Sequence, residues 1–272
     1  MKWSDGLTTS PPTCLFCGSQ KGPFDVEDVF AIWIRKVLPR PAIVIRNSDN
    51  SNRKPKVSTV LEAKLRKAVC KSCNGGWMSR LENAAKRVLS PMLNPKPNTV
   101  PVRLDLPAQQ LVAYWAVHKS LCLELSLRQA MADYPWGRIT RDEFTWMYDH
   151  RESREPPPGA EVFLFAFQAQ ASGSNQARVS SHRSVGLSHI ENPERPVGCL
   201  STTTIGTLGF QVFRHDIVLE EGVPRRPEPL MVPSNLRQVL IPIWPTVQPI
   251  AGWLVSGPAG VVSDSRLDNL WP

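Results

Sequence analysis

The chain lacks long apolar runs, early histidines and phosphate-binding glycine loops. Apolar runs such as 162–167 and 250–255 are far too short to cross a bilayer, so we expect no membrane-spanning segment. Residues 1–6 lack the apolar core of a secretory signal, which favours a cytoplasmic protein. No nucleophile elbow occurs, and no histidine precedes His118. The sequence therefore argues against a membrane protein, a P-loop nucleotide hydrolase and an α/β-hydrolase.

The composition is that of a globular protein with an uneven distribution of charge. The 272 residues are 42% hydrophobic, which suffices for the core of one large domain or of two or three small ones. Residues 1–100 contain 17 Lys or Arg against 7 Asp or Glu, whereas the remainder contains 15 against 17. A positive field in the first third is expected where the partner is a phosphate backbone. A well-solvated surface would give the same counts.

Four of the six cysteines form two pairs of identical spacing, Cys14-Leu15-Phe16-Cys17 and Cys70-Lys71-Ser72-Cys73. Two such pairs supply the four soft thiolates that a tetrahedral zinc ion requires, so we predict a structural zinc site. Its predicted ligands are Cys14, Cys17, Cys70 and Cys73. Two disulfides or four unrelated buried thiols are the alternatives, but neither explains the equal spacing, and disulfides need an oxidising compartment. Cys122 and Cys199 lie in apolar surroundings and are predicted to be buried.

The second cysteine pair leads directly into a helical pattern over 77–89. One pair on a loop and the other at the start of a helix is the arrangement of a treble clef. We therefore predict an α+β protein with an N-terminal treble-clef zinc module over 1–98, a helical region over 99–153 and a β-rich C-terminal domain over 160–272.

Several local elements can be predicted from periodicity and from breaker residues. Over 61–69 apolar positions recur at helical spacing, which indicates a short amphipathic helix or the approach to the second cysteine pair. Prolines from Pro91 onward are expected to end the helix that precedes them. A further helix is predicted over 107–132, and another after the capping box that Thr140 opens. From residue 162 the apolar period changes to two, which predicts strands.

Basic residues cluster between the two cysteine pairs and around the second pair. The cluster comprises Arg53, Lys54, Lys56, Arg66, Lys67 and Lys71. A cluster of this kind can neutralise successive phosphates, so we predict that these six residues bind nucleic acid.

A longer pattern surrounds the cysteines. Glu27-Asp28-Val29-Phe30 is followed by Trp33-Ile34, and Cys73-Asn74-Gly75-Gly76-Trp77-Met78 leads to Leu81-Glu82. This pattern resembles the H-N-H endonuclease family with a four-cysteine zinc site, in which a ββα unit holds a catalytic metal. The resemblance covers the first third of the chain and, more loosely, the helices up to residue 150.

The resemblance implies a catalytic divalent ion and roles for four residues. Glu27 would bind Mg²⁺ or Mn²⁺, Asn74 would be the second ligand or an orienting amide, and Glu82 would contribute from the helix. Asp28 stands where the family has the histidine that deprotonates water, and an aspartate ordinarily titrates about three units below neutral pH. The residues alone also allow plainer roles. Glu27 and Asp28 would cap a following helix, Asn74 would end a turn, and Glu82 would be a solvated partner of Lys86.

We expect the protein to act on nucleic acid, with DNA as the favoured substrate. One hypothesis is a divalent-metal-dependent phosphodiester endonuclease of reduced activity, because the histidine base is missing. The alternative is a catalytically inactive module on the same zinc scaffold that binds nucleic acid or a protein. A protein partner would contact the β-rich C-terminal region.

Overall fold

The fold combines helices with one small and one large β-sheet. A computed structural model describes residues 12–38, 42–45, 56–58, 63–95, 101–130, 139–168, 179–188, 196–215, 239–245, 249–250 and 261–263. Within these residues, helices and strands form a mixed α+β architecture, as the sequence predicts.

The elements up to residue 149 include all the described helices. They are β1 (Phe24–Asp28), α1 (Ile32–Val37), β2 (Ala42–Ile45), β3 (Lys56–Ser58), β4 (Lys64–Cys70), the one-turn helix α2 (Lys71–Cys73), a π-helical segment (Asn74–Met78), α3 (Ser79–Leu93), α4 (Leu106–Ala130) and α5 (Arg141–Asp149). The described elements that follow are all strands. They are β5 (Ala160–Gln168), β6 (Val179–Ser188), β7 (Pro196–Ile205), β8 (Leu208–His215), β9 (Ile241–Trp244) and β10 (Val261–Ser263).

Strands β1 and β4 form a two-stranded antiparallel sheet of their own, which we call the ribbon. Glu27 in β1 lies opposite Leu65 in β4. The expectation of a short helix over 61–69 is wrong, because the chain is extended from Lys64 onward. Lys64, Leu65 and Arg66 alternate between exposed and buried positions, which is the period of a strand. The other alternative, an approach to the second cysteine pair, describes β4.

The large sheet has eight strands in the order β10-β5-β8-β7-β6-β2-β3, with β9 also paired to β5. Strands β6, β7 and β8 are successive antiparallel neighbours. Strand β2 comes from the first third of the chain but runs parallel to β6, with Ala42 opposite Val179. One hydrophobic cluster also runs through all three predicted regions. The boundaries proposed from the sequence stay a prediction.

Helix α4 lies at the centre of the molecule and is buried on every side over most of its length. It packs against α3, β4 and the large sheet. Two of its polar side chains have partners in the sheet: Ser120 Oγ lies 2.6 Å from Ser201 Oγ, and Glu124 Oε1 lies 3.1 Å from His182 Nε2. A helix that is apolar all round belongs in a core. No helix in the described part of the chain is long and apolar enough to cross a membrane.

Two of the predicted helices are confirmed. Helix α4 covers Leu106–Ala130, within two residues of the predicted ends at 107 and 132. Thr140 caps α5 through a complete capping box, in which its hydroxyl accepts from Glu143 N and the Glu143 carboxylate accepts from Thr140 N at 2.8 Å.

Helix α3 runs through Pro91 to Leu93, so the expectation that Pro91 ends it is wrong. The end of the helix is held by the turn between β7 and β8. Thr207 Oγ1 donates to Met92 O at 2.8 Å, and Thr207 N donates to Leu93 O at 3.2 Å. These external donors satisfy carbonyls that the end of a helix leaves unpaired, and they hold the helix end in place beyond the proline.

Gly206, in the same turn, should not tolerate a side chain. Its φ is +61°, and a Cβ there would lie 2.3 Å from Leu93 O and 2.6 Å from Leu38 Cδ2. We expect Gly206→Ala to lower the free energy of unfolding by about 3 kcal/mol, because the left-handed backbone and the overlap both oppose alanine. Gly75→Ala is the matched control, since a Cβ there meets no atom within 4 Å. Urea unfolding measures both variants, and equal stabilities would contradict the packing of this turn.

Candidate functional site

The two cysteine pairs meet where the ribbon joins the helical part. Cys14 and Cys17 lie on the loop before β1, while Cys70 ends β4 and Cys73 ends α2. All four Sγ atoms lie within 4.8 Å of one another, and Cys17 Sγ is 3.7 Å from Cys70 Sγ. A tetrahedron of Zn–S bonds separates its sulfurs by about 3.8 Å. The cluster is therefore compatible with a structural zinc ion.

Local hydrogen bonds shape the loop that carries the first pair. Gly18 has a φ of +70° and donates its N–H to Cys14 O at 2.9 Å, while Cys14 N donates to Ser19 O at 2.8 Å. Leu15 N donates to Ala68 O in β4 at 3.0 Å. Glycine is suited to the left-handed backbone that this turn requires. The loop is thus tied to the strand that carries the second pair.

The electrostatics of the cluster favour a thiolate at Cys14. The pKa of its thiol is lowered to about 4, first by a hydrogen bond from the Cys73 thiol; burial opposes the shift, and backbone N–H groups of Cys17 and Cys70 add to it. The pKa of the Cys73 thiol is raised, first because its hydrogen is held by Cys14 and then by burial. Thiolates surrounded by N–H dipoles are the form that binds metal.

The other interpretations of the cysteines are not supported by the structure. All six cysteines are free thiols, so the alternative of two disulfides is wrong. Four unrelated buried thiols are also ruled out, because the pairs converge on one point. Cys122 and Cys199 are buried, as predicted.

Glu82, which the resemblance placed near a catalytic metal, is held by three side chains on α1 and α4. Its Oε2 accepts a hydrogen bond from Trp33 Nε1 at 2.8 Å. Its Oε1 accepts from Trp115 Nε1 at 3.1 Å and lies 2.5 Å from Lys119 Nζ. The side chain is 12% exposed, so the alternative of a solvated partner of Lys86 is wrong. Both carboxylate oxygens are occupied.

Lys119 supplies a buried positive charge beside the acids of the module. Its side chain is 1% exposed. Burial lowers the pKa of Lys119, but the negative charges of Glu82 and Glu27 oppose burial, and the net shift of the pKa is upward. The amine therefore stays protonated and compensates the carboxylate of Glu82.

Glu27 and Asp28 both lie on β1, so neither caps a helix. Glu27 is buried on the inner side of the ribbon, opposite Leu65. Asp28 Oδ1 lies 3.5 Å from Arg35 Nη2 and 3.9 Å from Lys64 Nζ. Among the residues that the structure describes, the four cysteines are the one group of three or more His, Cys, Asp or Glu ligand atoms close enough to share an ion.

Asn74 starts the π-helical segment directly after Cys73 and is half-buried. Its backbone is right-handed, with φ −60°, so it does not end a turn in the left-handed conformation. The segment continues through Gly75 and Gly76, and Gly76 has a non-helical ψ of −108°. The kink lets the chain pass from the cysteine turn into α3.

Half of the predicted nucleic-acid-binding residues can be located with their side chains. Arg66 and Lys67 in β4 and Lys71 in α2 are all exposed. Lys56 lies in β3, of which only the backbone is described, and Arg53 and Lys54 fall outside the described residues. The structure thus gathers three predicted cations at the ribbon, next to the cysteines.

The polar group around Glu82 could not be predicted from the sequence. Its members Trp33, Trp115 and Lys119 lie far apart in sequence. The one available signal was Lys119 itself, a cation in the middle of a helical stretch whose neighbours are almost all apolar. A buried lysine almost always has an acidic partner, but the sequence does not identify which one.

The Glu82–Lys119 pair should contribute strongly to stability. We expect Lys119→Met to lower the free energy of unfolding by about 3 kcal/mol or more, because Glu82 would be left buried without a counter-charge. Adding Glu82→Gln should restore part of the loss, since neither position is then charged. Urea unfolding of both single variants and the double variant gives the coupling energy.

An exposed ion pair provides the control for this cycle. Arg80 Nη2 lies 3.2 Å from Glu152 Oε1, and both side chains are largely exposed. Arg80→Met should change stability by less than about 1 kcal/mol. Additive effects of the Glu82 and Lys119 substitutions would contradict a direct pair.

Comparison with known proteins identifies no relative of this chain. No family model, no curated protein and no solved structure matches the chain. The resemblance to H-N-H endonucleases therefore stays a prediction from the motif, and the function has to be inferred from the geometry of the residues themselves.

Proposed function

We propose that the chain is a nucleic-acid-binding protein whose basic ribbon is held in shape by a zinc ion. The observation that carries the proposal is the row of exposed cations on β4 and directly after it. The row consists of Lys64, Arg66, Lys67 and Lys71. Exposed Lys and Arg side chains that lie together neutralise the phosphates of a nucleic acid with release of counterions.

Zinc is the proposed occupant of the cysteine cluster, in a treble-clef arrangement. Four cysteine sulfurs within 4.8 Å of one another can form a closed site, as in structural zinc sites, and soft sulfur ligands disfavour Mg²⁺ and Ca²⁺. The ion would join the loop before β1 to the end of β4. It would therefore fix the end of the ribbon from which Lys71 projects.

The surroundings of the acids favour binding over cleavage. The Glu82 carboxylate is neutralised by Lys119 and bonded by two indoles. Asp28, at the position of the missing histidine, lies beside Arg35 and Lys64. The buried ammonium of Lys119 next to Glu82 repels a divalent ion, and the two cations beside Asp28 do the same.

A divalent-metal-dependent nuclease is the second candidate. It is supported by the order of elements, in which the antiparallel strands β1 and β4 precede α3 as in a ββα unit. Glu27 lies in the first of these strands and Asn74 follows the second. In this version Mg²⁺ or Mn²⁺ would bind to Glu27 and Asn74, and the ion would supply a metal-activated water.

The zinc proposal predicts that metal content and folding are lost together. Cys70→Ser should release zinc and lower the melting temperature sharply, since structural zinc contributes on the order of 10 kcal/mol in small modules. Cys122→Ser alters a buried cysteine outside the cluster and should keep its zinc. Elemental analysis and thermal unfolding measure both variants. A Cys70→Ser protein with full zinc content and an unchanged melting temperature would refute the site.

The binding proposal predicts affinity that falls steeply with salt. The double variant Arg66→Ala/Lys71→Ala should reduce the slope of log K against log salt by about 2, because two phosphate contacts are lost. Lys86→Ala/Arg103→Ala removes the same charge from exposed positions away from the ribbon and should leave the slope unchanged. Fluorescence anisotropy with duplex DNA, single-stranded DNA and RNA measures these slopes.

Two outcomes would overturn this proposal. Absence of binding to all three probes at low salt would favour a protein-interaction module. Nicking of supercoiled plasmid with Mg²⁺ or Mn²⁺ that Asn74→Ala abolishes would establish the nuclease.

A further inference from the structure

The ribbon has one buried face and one exposed face. Glu27 and Leu65 face inward, whereas Val26 on β1 and Arg66 on β4 are exposed and lie opposite each other. Val26 is 57% exposed, which makes it one of three large hydrophobic residues at the surface of the described chain. Side chains directly opposite on antiparallel strands have Cβ atoms about 5 Å apart. A methyl-bearing side chain and a guanidinium thus stand next to each other on the exposed face.

The exposed face carries positive charge with little to oppose it. Lys64 has a side chain that is 45% exposed, and Lys67 is exposed at the register shift that follows Arg66. Among the ribbon side chains that the structure describes, the one partly exposed carboxylate is Asp28, which lies beside Arg35 and Lys64. A phosphate backbone approaching the face therefore meets net positive charge.

The ribbon is also firmly supported along the outer edge of β4. Gln129 at the end of α4 accepts from Arg66 N at 2.9 Å and donates to Arg66 O at 3.0 Å. Ser126 Oγ donates to Lys64 O at 3.3 Å. These bonds take the place of a neighbouring strand and leave the face, not the edge, as the accessible surface.

We propose that the exposed face of the ribbon binds in the major groove of duplex DNA, with Arg66 hydrogen-bonded to a guanine and Val26 in contact with a thymine methyl group. This inference rests on the proposed nucleic-acid binding and adds its substrate class and mode of recognition. The major groove is about 12 Å wide and admits a two-stranded ribbon, whose strands are about 4.8 Å apart. Arginine reads guanine O6 and N7 in this groove, and the thymine methyl is the apolar group displayed there.

The composition of the face disfavours the other nucleic acids. Single strands are bound by aromatic platforms, and the exposed positions Val26, Lys64, Arg66 and Lys67 include no aromatic ring. The major groove of A-form RNA is too narrow for side chains to read. An exposed valine also gains nothing from phosphates, so its place beside Arg66 favours contact with base edges over the backbone alone.

The test pairs each side chain with the DNA atom it would contact. Preferred sequences are first selected from a pool of randomised duplexes with the full-length, zinc-loaded protein. Affinity is then measured by anisotropy on the selected duplex and on copies in which thymines are replaced by deoxyuridine, or guanines by 7-deazaguanine. We expect each modified duplex to bind several-fold more weakly.

The variants then separate direct contacts from general weakening. Val26→Ser, which removes both methyl groups of the side chain, should bind the selected duplex more weakly but no longer distinguish thymine from uracil. Arg66→Ala should lose roughly tenfold and no longer distinguish guanine from 7-deazaguanine. Lys71→Ala is the control, because loss of a phosphate contact weakens all duplexes equally. Both variants change exposed positions, and the zinc content of each variant protein shows whether it is folded.

Each outcome bears on a different proposal. Binding without sequence preference, preferential binding of single strands or RNA, or equal sensitivity of wild type and Val26→Ser to uracil would overturn groove reading while leaving nucleic-acid binding in place. Absence of binding to every probe would overturn both.

Discussion

The ion pair between Glu82 and Lys119 is the contact on which the arrangement of the N-terminal half depends. Glu82 belongs to α3, Lys119 to α4, and Trp33 of α1 donates to the same carboxylate. The pair is shielded from water, so each charge would be costly without the other. The contact is more specific than most apolar contacts. The Glu82 carboxylate can bind two indole N–H groups and one ammonium only in a single orientation. The pair therefore determines how the helix that follows the cysteines sits on the core.

The sequence was informative where structure follows from neighbouring residues. The equal spacing of the cysteines, the capping box at Thr140 and the long apolar stretch of α4 are local signals, and each predicted a feature that the structure contains. Cys122 and Cys199 were likewise expected in the core from their apolar neighbours.

Sequence reasoning failed where distant residues decide. Over 61–69 the apolar positions fitted a helix, but pairing with β1 makes the segment a strand. Pro91 is expected to stop α3, but Thr207, more than a hundred residues later, donates to the carbonyls of Met92 and Leu93 and holds the helix end beyond the proline. The role of Glu82 depended on Lys119 in the same way. The pattern of residues in a short stretch of sequence cannot predict such partners, because only the complete fold brings them together.

The pairing of β2 with β6 has a consequence for how the molecule is made. Strand β2 is parallel to β6, and its partner begins at Val179. During synthesis the N-terminal third therefore leaves the ribosome long before the strand it pairs with exists, and β2 and β3 must wait while the central helices form. Contacts of such long sequence separation are slow to close, and an unpaired strand in the meantime can pair with another chain. The order of synthesis thus makes β2 a segment where assembly of this protein is exposed to error.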